Sequence, residues 1–484
     1  MLGKAELEFI EFELTQWLQS PKRQAQFEGM KYYKGEHAIL NKTRTMKDPD
    51  GKELDMTNLP NNKIVNNLYA LCIDQKGDYI LSIPMGVTTE NEEYRKHLKK
   101  IFNPKFDRSF KTLGKEAHQA GLGWLYIYVE DGELKFKRLL ATEIMPLWKD
   151  AEHSELNYAV RYYEVKEPMS VTITKKVEVF TTEGIEYFIY NGHLIPDDKP
   201  PESYNKIIYT DQLQKRTIYN ANWGKIPLIP FRYNADETPL LSRVKSLQDA
   251  INAIMSAHQD NLMEDMRSTI LVIHNYDGTD LNEFRQNLAA AGAVKVTNTE
   301  GTKGGVEPLR IEVDSNNYEI VLKELKRALF NGARCFDPTD ELMNGRPNEL
   351  NLRALYTTIN LDANETEAEF RASLEDVMWF VNKYLQFTYH VDYSDESVTF
   401  TFNRDMIIDE AAKINSFVMC KGLIPDKIAF EQHPWIDDVE EALELQKQQE
   451  AEMQADALMG LGTGGATNGQ FNIGEPNNST PTGN

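Results

Sequence analysis

The stretch GLGWLYIYVEDGELKFKRLLATEIMPLWKD, residues 121–150, marks the point at which the chain changes from helix to sheet. It holds two runs rich in β-branched and aromatic residues on either side of Glu130-Asp131-Gly132. Asp-Gly between two such runs is a signal for a β-hairpin. Similar runs continue over residues 157–165, 171–192 and 226–234. We therefore predict a mostly antiparallel sheet across residues 122–234.

Upstream of this stretch, apolar residues recur at the spacing of amphipathic helices. Ser20-Pro21 has the residue types of an N-cap followed by a proline at the first helical position. Residues 42–60 are polar and include a DPDG turn, so we predict a loop there. The pattern predicts helices over residues 5–18, 21–33, 62–82, 90–102 and 106–120.

Downstream of the sheet, the helical pattern returns in long segments. Between the first two lies an insert, residues 269–313, with the strands TILVIH, AVKVTN and PLRIEV and the helix LNEFRQNLAA. A strand is predicted over residues 398–402, and residues 460–484 have the low complexity of a disordered tail. The chain is therefore of the α+β class, with further helices predicted over residues 240–266, 317–334, 352–389, 407–420 and 436–459.

The composition excludes several classes of protein. The net charge of −22 gives no general basic surface for gripping nucleic acid. Three distant cysteines, without a CxxC pair, predict neither a zinc ribbon nor a disulfide framework. The N-terminal residues do not resemble a signal peptide, and we find no apolar run long enough to span a membrane. These features predict a soluble protein that folds in a reducing cytoplasm.

Catalytic motifs are absent from the sequence. It has no P-loop, no HExxH and no GxSxG, and its histidines are scattered singly. We therefore predict no enzyme activity, no cofactor and no metal. A metal-dependent nuclease remains the alternative. Such an enzyme would need clustered carboxylates to hold its metal ions. The sequence offers such residues, although solvated helix surfaces explain them better: Glu365, Glu367, Glu369, Asp437, Asp438, Glu440, Glu441 and Glu444.

One polar segment, CFDPTDELMNGRPNELN at residues 335–351, interrupts two long helices. It is longer than the usual connection between helices, which favours a functional loop over an ordinary surface loop. Gly345 and the asparagines allow the backbone to move, and the Asp337-Pro338 and Arg346-Pro347 pairs fix it on either side.

Five segments in this order resemble the portal proteins of tailed double-stranded DNA bacteriophages, in the branch typical of long-tailed phages of Gram-positive hosts. The likeness extends from about Gln26 to Ala455. The segments are KYYKGEHAIL (31–40), NKIVNNLYALCIDQKGDYILSIP (62–84), GLGWLYIYVEDGELKFKRLLATEIMPLWKD (121–150), NYAVRYYEV (157–165) and GKIPLIPFRYN (224–234).

The resemblance implies an elongated portal fold with a β-rich wing, long stem helices, a small α/β clip, a long wing helix and a helical crown. Mapped onto this chain, it gives these divisions: 1–237 wing, 238–268 first stem helix, 269–315 clip, 316–335 second stem helix, 336–351 tunnel loop, 352–405 long helix and wing strand, 406–459 crown and 460–484 disordered tail.

The resemblance also implies what such a protein does. It forms a homo-oligomeric ring, normally of twelve subunits, at one capsid vertex, through which double-stranded DNA is packaged and ejected. A separate ATPase supplies the energy. The implied locations are the virion and, during assembly, the host cytoplasm, with no membrane association. The implied partners are the terminase large subunit, the major capsid and scaffolding proteins and the head-tail adaptor protein. The alternative within this class is another virion structural subunit.

The mapped loop and clip supply the candidate DNA-facing residues. DNA that must slide should not be anchored, which is consistent with an acidic chain offering only sparse positive contacts. For Lys295 and Lys303 in the clip, a position facing solvent outside the channel is an equally good alternative. The tunnel-loop candidates are Asp340, Glu341, Asn344, Gly345, Arg346, Asn348 and Glu349.

Overall fold

The structure is a computed structural model that describes residues 2–47, 52–55, 59–166, 172–210, 216–265, 270–274, 305–309, 315–339 and 349–404, and near the C terminus 417–419, 423–431, 436, 439, 442–449 and 451. The chain divides into two compact units, Met1–Asp405 and Met406–Asn484. The α+β class is confirmed. The predicted insert helix, the AVKVTN strand, most of the predicted crown and the tail lie outside the described residues.

The described helices of the first unit follow the predicted order. Each helix begins and ends within a few residues of its predicted limits, except that α3 starts six residues later than predicted. They are α1 (Lys4–Leu18), α2 (Pro21–Tyr33), α3 (Leu68–Leu81), α4 (Glu92–Ile101), α5 (Pro104–Ala120), α6 (Leu241–Asp265), α7 (Ser315–Ala333) and α8 (Glu349–Tyr389).

Two five-stranded sheets form the β-rich part of the molecule. Their strands lie within residues 122–234, where the sequence predicted mostly antiparallel sheet, but the division into two sheets was not predicted. The second pairs its strands in the order β12-β11-β4-β13, with β5 on β4. Its strands are β4 (Leu122–Glu130), β5 (Glu133–Leu139), β11 (Asn205–Thr210), β12 (Arg216–Ala221) and β13 (Leu228–Arg232). The first, in the order β10-β9-β8-β7-β6, contains β6 (Ile144–Trp148), β7 (Leu156–Lys166), β8 (Ile173–Thr181), β9 (Gly184–Tyr190) and β10 (Leu194–Pro196).

The opening stretch folds as predicted. Gly121 takes the left-handed conformation (φ 86°) that ends α5, and a Cβ there would lie 2.1 Å from the Glu237 carbonyl oxygen. β4 and β5 form a hairpin whose turn residues, Asp131 and Gly132, both have positive φ. This is the geometry that Asp-Gly favours. Pairing is antiparallel throughout the described strands, except for one parallel contact between β11 and β4.

Three small sheets complete the first unit. The pair β1 (Thr45–Lys47) and β2 (Glu53–Asp55) lies within residues 42–60, so the prediction of a plain loop was wrong there. β3 (Gly86–Thr88) pairs with β16 (Thr399–Thr401), which fulfils the strand predicted over residues 398–402. In the insert, β14 (Ile270–His274) pairs antiparallel with β15 (Gly305–Leu309).

Helices α6 and α7 run antiparallel, with the β14–β15 pair between them in sequence. Near one end, the Tyr318 ring lies 4.6 Å from the His258 ring, and its hydroxyl accepts a hydrogen bond from Asn261. Near the other end, Gly332 lies beside Val244. The late residues of α6 therefore meet the early residues of α7.

The core joins helices to both sheets. Ile10 and Leu14 of α1 pack on the sheet β6–β10. On the other sheet, Phe231 of β13 makes edge-to-face contacts with Phe110 of α5 and Phe370 of α8, with centroids 5.4 and 5.3 Å apart. These aromatic contacts hold the long helix against the second sheet.

The predicted helix over residues 62–82 begins only at Leu68, and the preceding residues run along α6 instead. The backbone N–H groups of Asn62, Ile64, Asn66 and Tyr69 donate in turn to the side chains of α6. The acceptors, spaced four residues apart and nearly inaccessible to solvent, are Asp260, Ser256, Asn252 and Gln248, at 2.7, 3.0, 2.9 and 3.0 Å.

The spacing explains this arrangement, which we call the polar ladder. Four helical residues rise about 6.0 Å and two extended residues about 6.6 Å, so alternate N–H groups of an extended segment can meet every fourth residue of a helix. Asn67 then caps α3 by accepting from the Ala70 N–H. The buried backbone groups are satisfied by side chains, which a helix-period pattern alone cannot reveal.

In the second unit, α9 (Asp426–Glu431) had no counterpart among the predicted helices. Residues 442–449 are helical, within the predicted helix 436–459, and Gln446 lies 3.5 Å from Asp426 as a donor to its carboxylate. The rings of Phe417 and Phe430 stack with centroids 5.7 Å apart.

Replacing Asn252 by leucine should remove the central rung of the polar ladder. The Asn66 N–H and the His37 ring nitrogen, which Asn252 contacts at 2.9 and 2.8 Å, would be left without their partner. We expect a loss of about 3 kcal/mol in the free energy of unfolding, measured by urea denaturation. Ser246→Ala, at an exposed position of the same helix, should change it by less than about 0.5 kcal/mol. A loss below about 1 kcal/mol for Asn252→Leu would show that the ladder is dispensable.

Candidate functional site

The predicted tunnel loop is described only at its two ends. Asp340, Glu341, Asn344, Gly345, Arg346 and Asn348 lie outside the described residues, as do Lys295 and Lys303 of the predicted clip. Glu349 is the first residue of α8, so the loop ends before the predicted limit of residue 351. An acidic residue in the first turn is favoured by the helix dipole, which accounts for the earlier start.

The end of α7 sets the direction in which the chain enters the loop. Arg334 adopts a left-handed conformation (φ 55°), and the Cys335 N–H donates to the Phe330 carbonyl across the turn. This closure normally uses glycine, because a side chain there costs roughly 1–2 kcal/mol. The Arg334 guanidinium binds Glu365 of α8 at 3.0 Å, and because both side chains are exposed this pair compensates only a small part of that cost.

The first loop residues are anchored on α3 and α8. The Phe336 carbonyl accepts a hydrogen bond from Gln75 at 3.0 Å, and its ring packs on Tyr356 with centroids 5.3 Å apart. Asp337 then accepts from both the N–H and the hydroxyl of Thr339, at 2.8 and 2.7 Å. The entry to the loop is therefore held by side chains on both neighbouring helices.

Two cysteines meet beside this anchor. Cys335 directs its thiol toward the Cys72 carbonyl oxygen, 3.6 Å away, and both residues are buried. The contact with Cys335, together with burial, holds the pKa of the Cys72 thiol well above its ordinary value. A protonated, buried thiol is a poor nucleophile, so Cys72 acts as a packing residue.

Beneath the anchor lies a buried ion pair between Lys76 of α3 and Asp362 of α8, with 1% and 3% of the side chains exposed. The Tyr233 hydroxyl donates to Asp362 at 3.2 Å, and its ring lies under the Lys76 ammonium. At the rim, Arg243 and Arg334 place nitrogens 3.9 and 3.7 Å from Asp362. This cluster, the buried ion-pair cluster, joins α3, α6, α7, α8 and the end of β13.

His118 of α5 borders the cluster as a neutral base. Its Nδ1 lies 2.7 Å from the Gly114 carbonyl oxygen, which requires a proton on that nitrogen. Nε2 is buried without a partner among the described residues. Burial, and secondarily the Lys76 charge, lowers the pKa of His118 to about 4.

Among the described residues, no group of three histidine, cysteine or carboxylate side chains is placed to hold a metal. Of the carboxylates considered for a nuclease, Glu365 binds Arg334, and Glu367 binds Arg371 and Arg404. Asp437, Asp438, Glu440 and Glu441 lie outside the described residues. None of the helices in the described ranges is long and apolar enough to cross a membrane.

Comparison with known proteins identifies the family. The model of the phage portal proteins of the SPP1 Gp6-like type matches residues 21–455. The chain belongs to this portal protein family. It is 28% identical over 442 residues to the portal protein of Bacillus phage SPP1, covering 89% of this chain and 85% of that protein. It is 25% identical over 439 residues to the portal protein of Clostridium phage phiCD119, covering 88% and 92%.

The match confirms the family inferred from the five sequence segments, and with it a portal function. Both relatives come from phages named after Gram-positive hosts, Bacillus and Clostridium, as the resemblance implied. Portal proteins are structural components of the virion. The buried ion-pair cluster of this portal protein was missed by sequence analysis, although one signal was present: Lys76 interrupts the otherwise apolar face of the segment LYALCIDQKGDYIL.

Removing one partner of the buried ion pair should destabilise this portal protein strongly. Lys76→Met leaves Asp362 buried without its cation, and we expect a loss of about 3–5 kcal/mol in the free energy of unfolding. The double variant Lys76→Met/Asp362→Leu should recover a large part of that loss, because no isolated charge remains. Urea denaturation of the two single variants and the double variant measures the coupling. Additive losses would mean that the pair is not coupled.

Acid should destabilise this portal protein through His118. The unfolded chain takes up a proton near pH 6.5, whereas the folded chain does so only near pH 4. The stabilisation that neutral His118 provides is therefore fully present above pH 6.5. The free energy of unfolding falls by roughly 3 kcal/mol as the pH drops from 6.5 to 4. His118→Leu should flatten the unfolding free energy over this interval. The same slope in the variant and the parent would assign the acid effect to other groups.

Proposed function

We propose that this chain assembles into a ring, normally of twelve copies, that forms the DNA channel at one capsid vertex. The observation that carries the proposal is the antiparallel pair α6 and α7 with a small β insert between them in sequence. Copies of such a pair, tilted around an axis, would make a tube. The inserts would then lie together at one end of the tube, available to partner proteins.

The finer division of the chain is the one that the family resemblance implies. Residues 1–237 would form the wing, 238–268 and 316–335 the stem helices, 269–315 the clip, 352–405 the long helix with its wing strand, and 406–459 the crown. The strand content of the insert suits pairing with a strand of a neighbouring subunit. In this scheme the clip binds the terminase large subunit during packaging and the head-tail adaptor protein afterwards, while capsid and scaffolding proteins contact the rest.

The loop that was predicted over residues 336–351, and that ends where α8 begins at Glu349, would line the channel. Its support comes from the anchor: Phe336 and Arg334 are tied to α3 and α8, so force on the loop would pass into the two helices. Its polar sequence suits contact with water and DNA. We assign the channel-facing role to Asp340, Glu341, Asn344, Gly345, Arg346, Asn348 and Glu349, with Lys295 and Lys303 as weak phosphate contacts in the clip.

The chain would act without an active site of its own, since a separate ATPase drives the DNA. Electron microscopy of the purified protein, together with its mass in solution, tests the ring. Rings of about twelve subunits with a central hole are expected from the family resemblance. A monomer or dimer under all assembly conditions, including the presence of scaffolding protein, would reject the proposal.

Deleting Leu342–Asn348 should leave rings intact and impair DNA packaging or retention, because the anchor residues and α8 remain. The measurement is the fraction of DNA-filled capsids in cells that supply the variant in place of the parent. Replacing the same seven residues by a glycine-serine segment of equal length separates the role of loop length from that of its side chains. Normal filling with the deletion would remove the channel role from this loop.

A further inference from the structure

A strongly basic segment stands out in this acidic chain. Between Arg95 and Lys111 there are seven lysine or arginine residues and a single carboxylate, Asp107, whereas the whole chain has a net charge of −22. The segment covers α4 from Arg95 onward, the short connection and the first half of α5; the carboxylates Glu92 and Glu93 lie before it, in the first turn of α4. Its outward side chains, which we call the basic patch, are Lys96, Lys99, Lys100, Lys105 and Arg108.

The basic patch is exposed and not neutralised by its surroundings. All five side chains are solvent-exposed, and none forms an ion pair with the residues that the structure describes. The inner lysines of α5 behave differently: Lys111 binds Asp78 of α3 at 2.9 Å, and Lys115 binds Asp74 at 2.7 Å. On α5, the lysines that face α3 are therefore ion-paired, whereas the outward Lys105 and Arg108 have no ion pair with the described residues.

The patch is built on a rigid support. Below it, Tyr94 and Leu98 of α4 and Phe106 and Phe110 of α5 are buried. Asn103 caps α5 by accepting from two N–H groups of its first turn, at 3.0 and 3.2 Å. The backbone that carries the charges is therefore fixed, whereas the lysine side chains can adjust.

The position of the patch separates it from the loop before α8. The Tyr94 hydroxyl donates to Asn382 near the end of α8, and the Tyr94 ring stacks on Tyr393 at 4.3 Å. Asn382 lies 33 residues after the first residue of α8, which is about 50 Å along a helix. One subunit therefore presents the basic patch far from the first residue of α8, at which the candidate channel loop ends.

The chemistry of the patch selects a phosphate polymer over a protein surface. Protein interfaces are depleted in lysine and depend on buried aromatic or apolar anchors. Four of the five residues here are lysines, and no large apolar residue of α4 or α5 is exposed. Non-specific binding to duplex DNA needs only cations close to the backbone phosphates, within about 10 Å at 0.1 M salt.

We propose that the basic patch on α4 and α5 binds the phosphate backbone of double-stranded DNA without sequence preference, at a surface separate from the channel loop. The proposed function supplies the source of the duplex, but the binding itself is a property of this surface. Five cations on a chain that otherwise repels DNA would give a contact that is weak, reversible and steeply dependent on salt.

The test compares two triple variants of the full-length protein. Lys96→Gln/Lys99→Gln/Lys100→Gln removes three charges of the patch, whereas Lys34→Gln/Lys175→Gln/Lys427→Gln removes three exposed lysines on separate elements. Binding of a fluorescent 30-base-pair duplex is measured by anisotropy between 0.05 and 0.2 M salt. We expect the patch variant to bind at least about tenfold more weakly, with the log–log salt slope reduced by about three. The control variant should match the parent.

Further results decide against the proposal or for it. Equal binding by the patch variant and the parent, or no binding by the parent, would reject it. Loss of ring assembly in the patch variant, with duplex binding per subunit unchanged, would assign the patch to an acidic face of a neighbouring subunit and also reject it. Retained binding in the Leu342–Asn348 deletion would support a surface separate from the loop. Rings that fail to bind duplex would reject the patch and leave the proposed function standing.

Discussion

The buried pair of Lys76 and Asp362 is the constraint on which the arrangement of the long helices depends. An ammonium and a carboxylate removed from water cost several kcal/mol each, and they recover it only if they meet in good geometry. Lys76 lies on α3 and Asp362 on α8, while Tyr233 approaches from the sheet. A shift of any of these elements by a few ångströms would leave a charge buried alone. The pair therefore fixes one relative position for the elements that surround it.

The cluster also ties both ends of the candidate channel loop to the same helix. The chain leaves α7 through Arg334, whose side chain binds Glu365, and α8 carries both Glu365 and Asp362 one turn apart. The beginning of the loop is thus tied to the same helix that receives its end.

A structural feature could be predicted from the sequence where the residues that determine it are close together in the chain. Ser20-Pro21 and Asp131-Gly132 determine their own backbone, and the helix start and hairpin turn were found where the sequence indicated. The six residues before Leu68 were wrongly predicted as helix, because their partners lie on α6, nearly two hundred residues away. The ion-pair cluster was missed because the apolar face around Lys76 indicates only that this lysine is buried, whereas its partner Asp362 lies 286 residues away. The family, in contrast, was recognisable because five separate local patterns kept their order.

The geometry of the polar ladder limits its length. Each four-residue step of the helix advances about 0.6 Å less than the two extended residues that face it. The offset between the N–H groups and their side-chain acceptors therefore grows with every step. After two steps the offset is about 1.2 Å, which exceeds the spread of roughly 0.5 Å in the donor–acceptor distances of a good hydrogen bond. From Asn66 the next rung is taken by Tyr69, three residues on, where the chain has already turned into α3. An insertion that added one more extended rung would therefore lose register, so this contact has a natural maximum length.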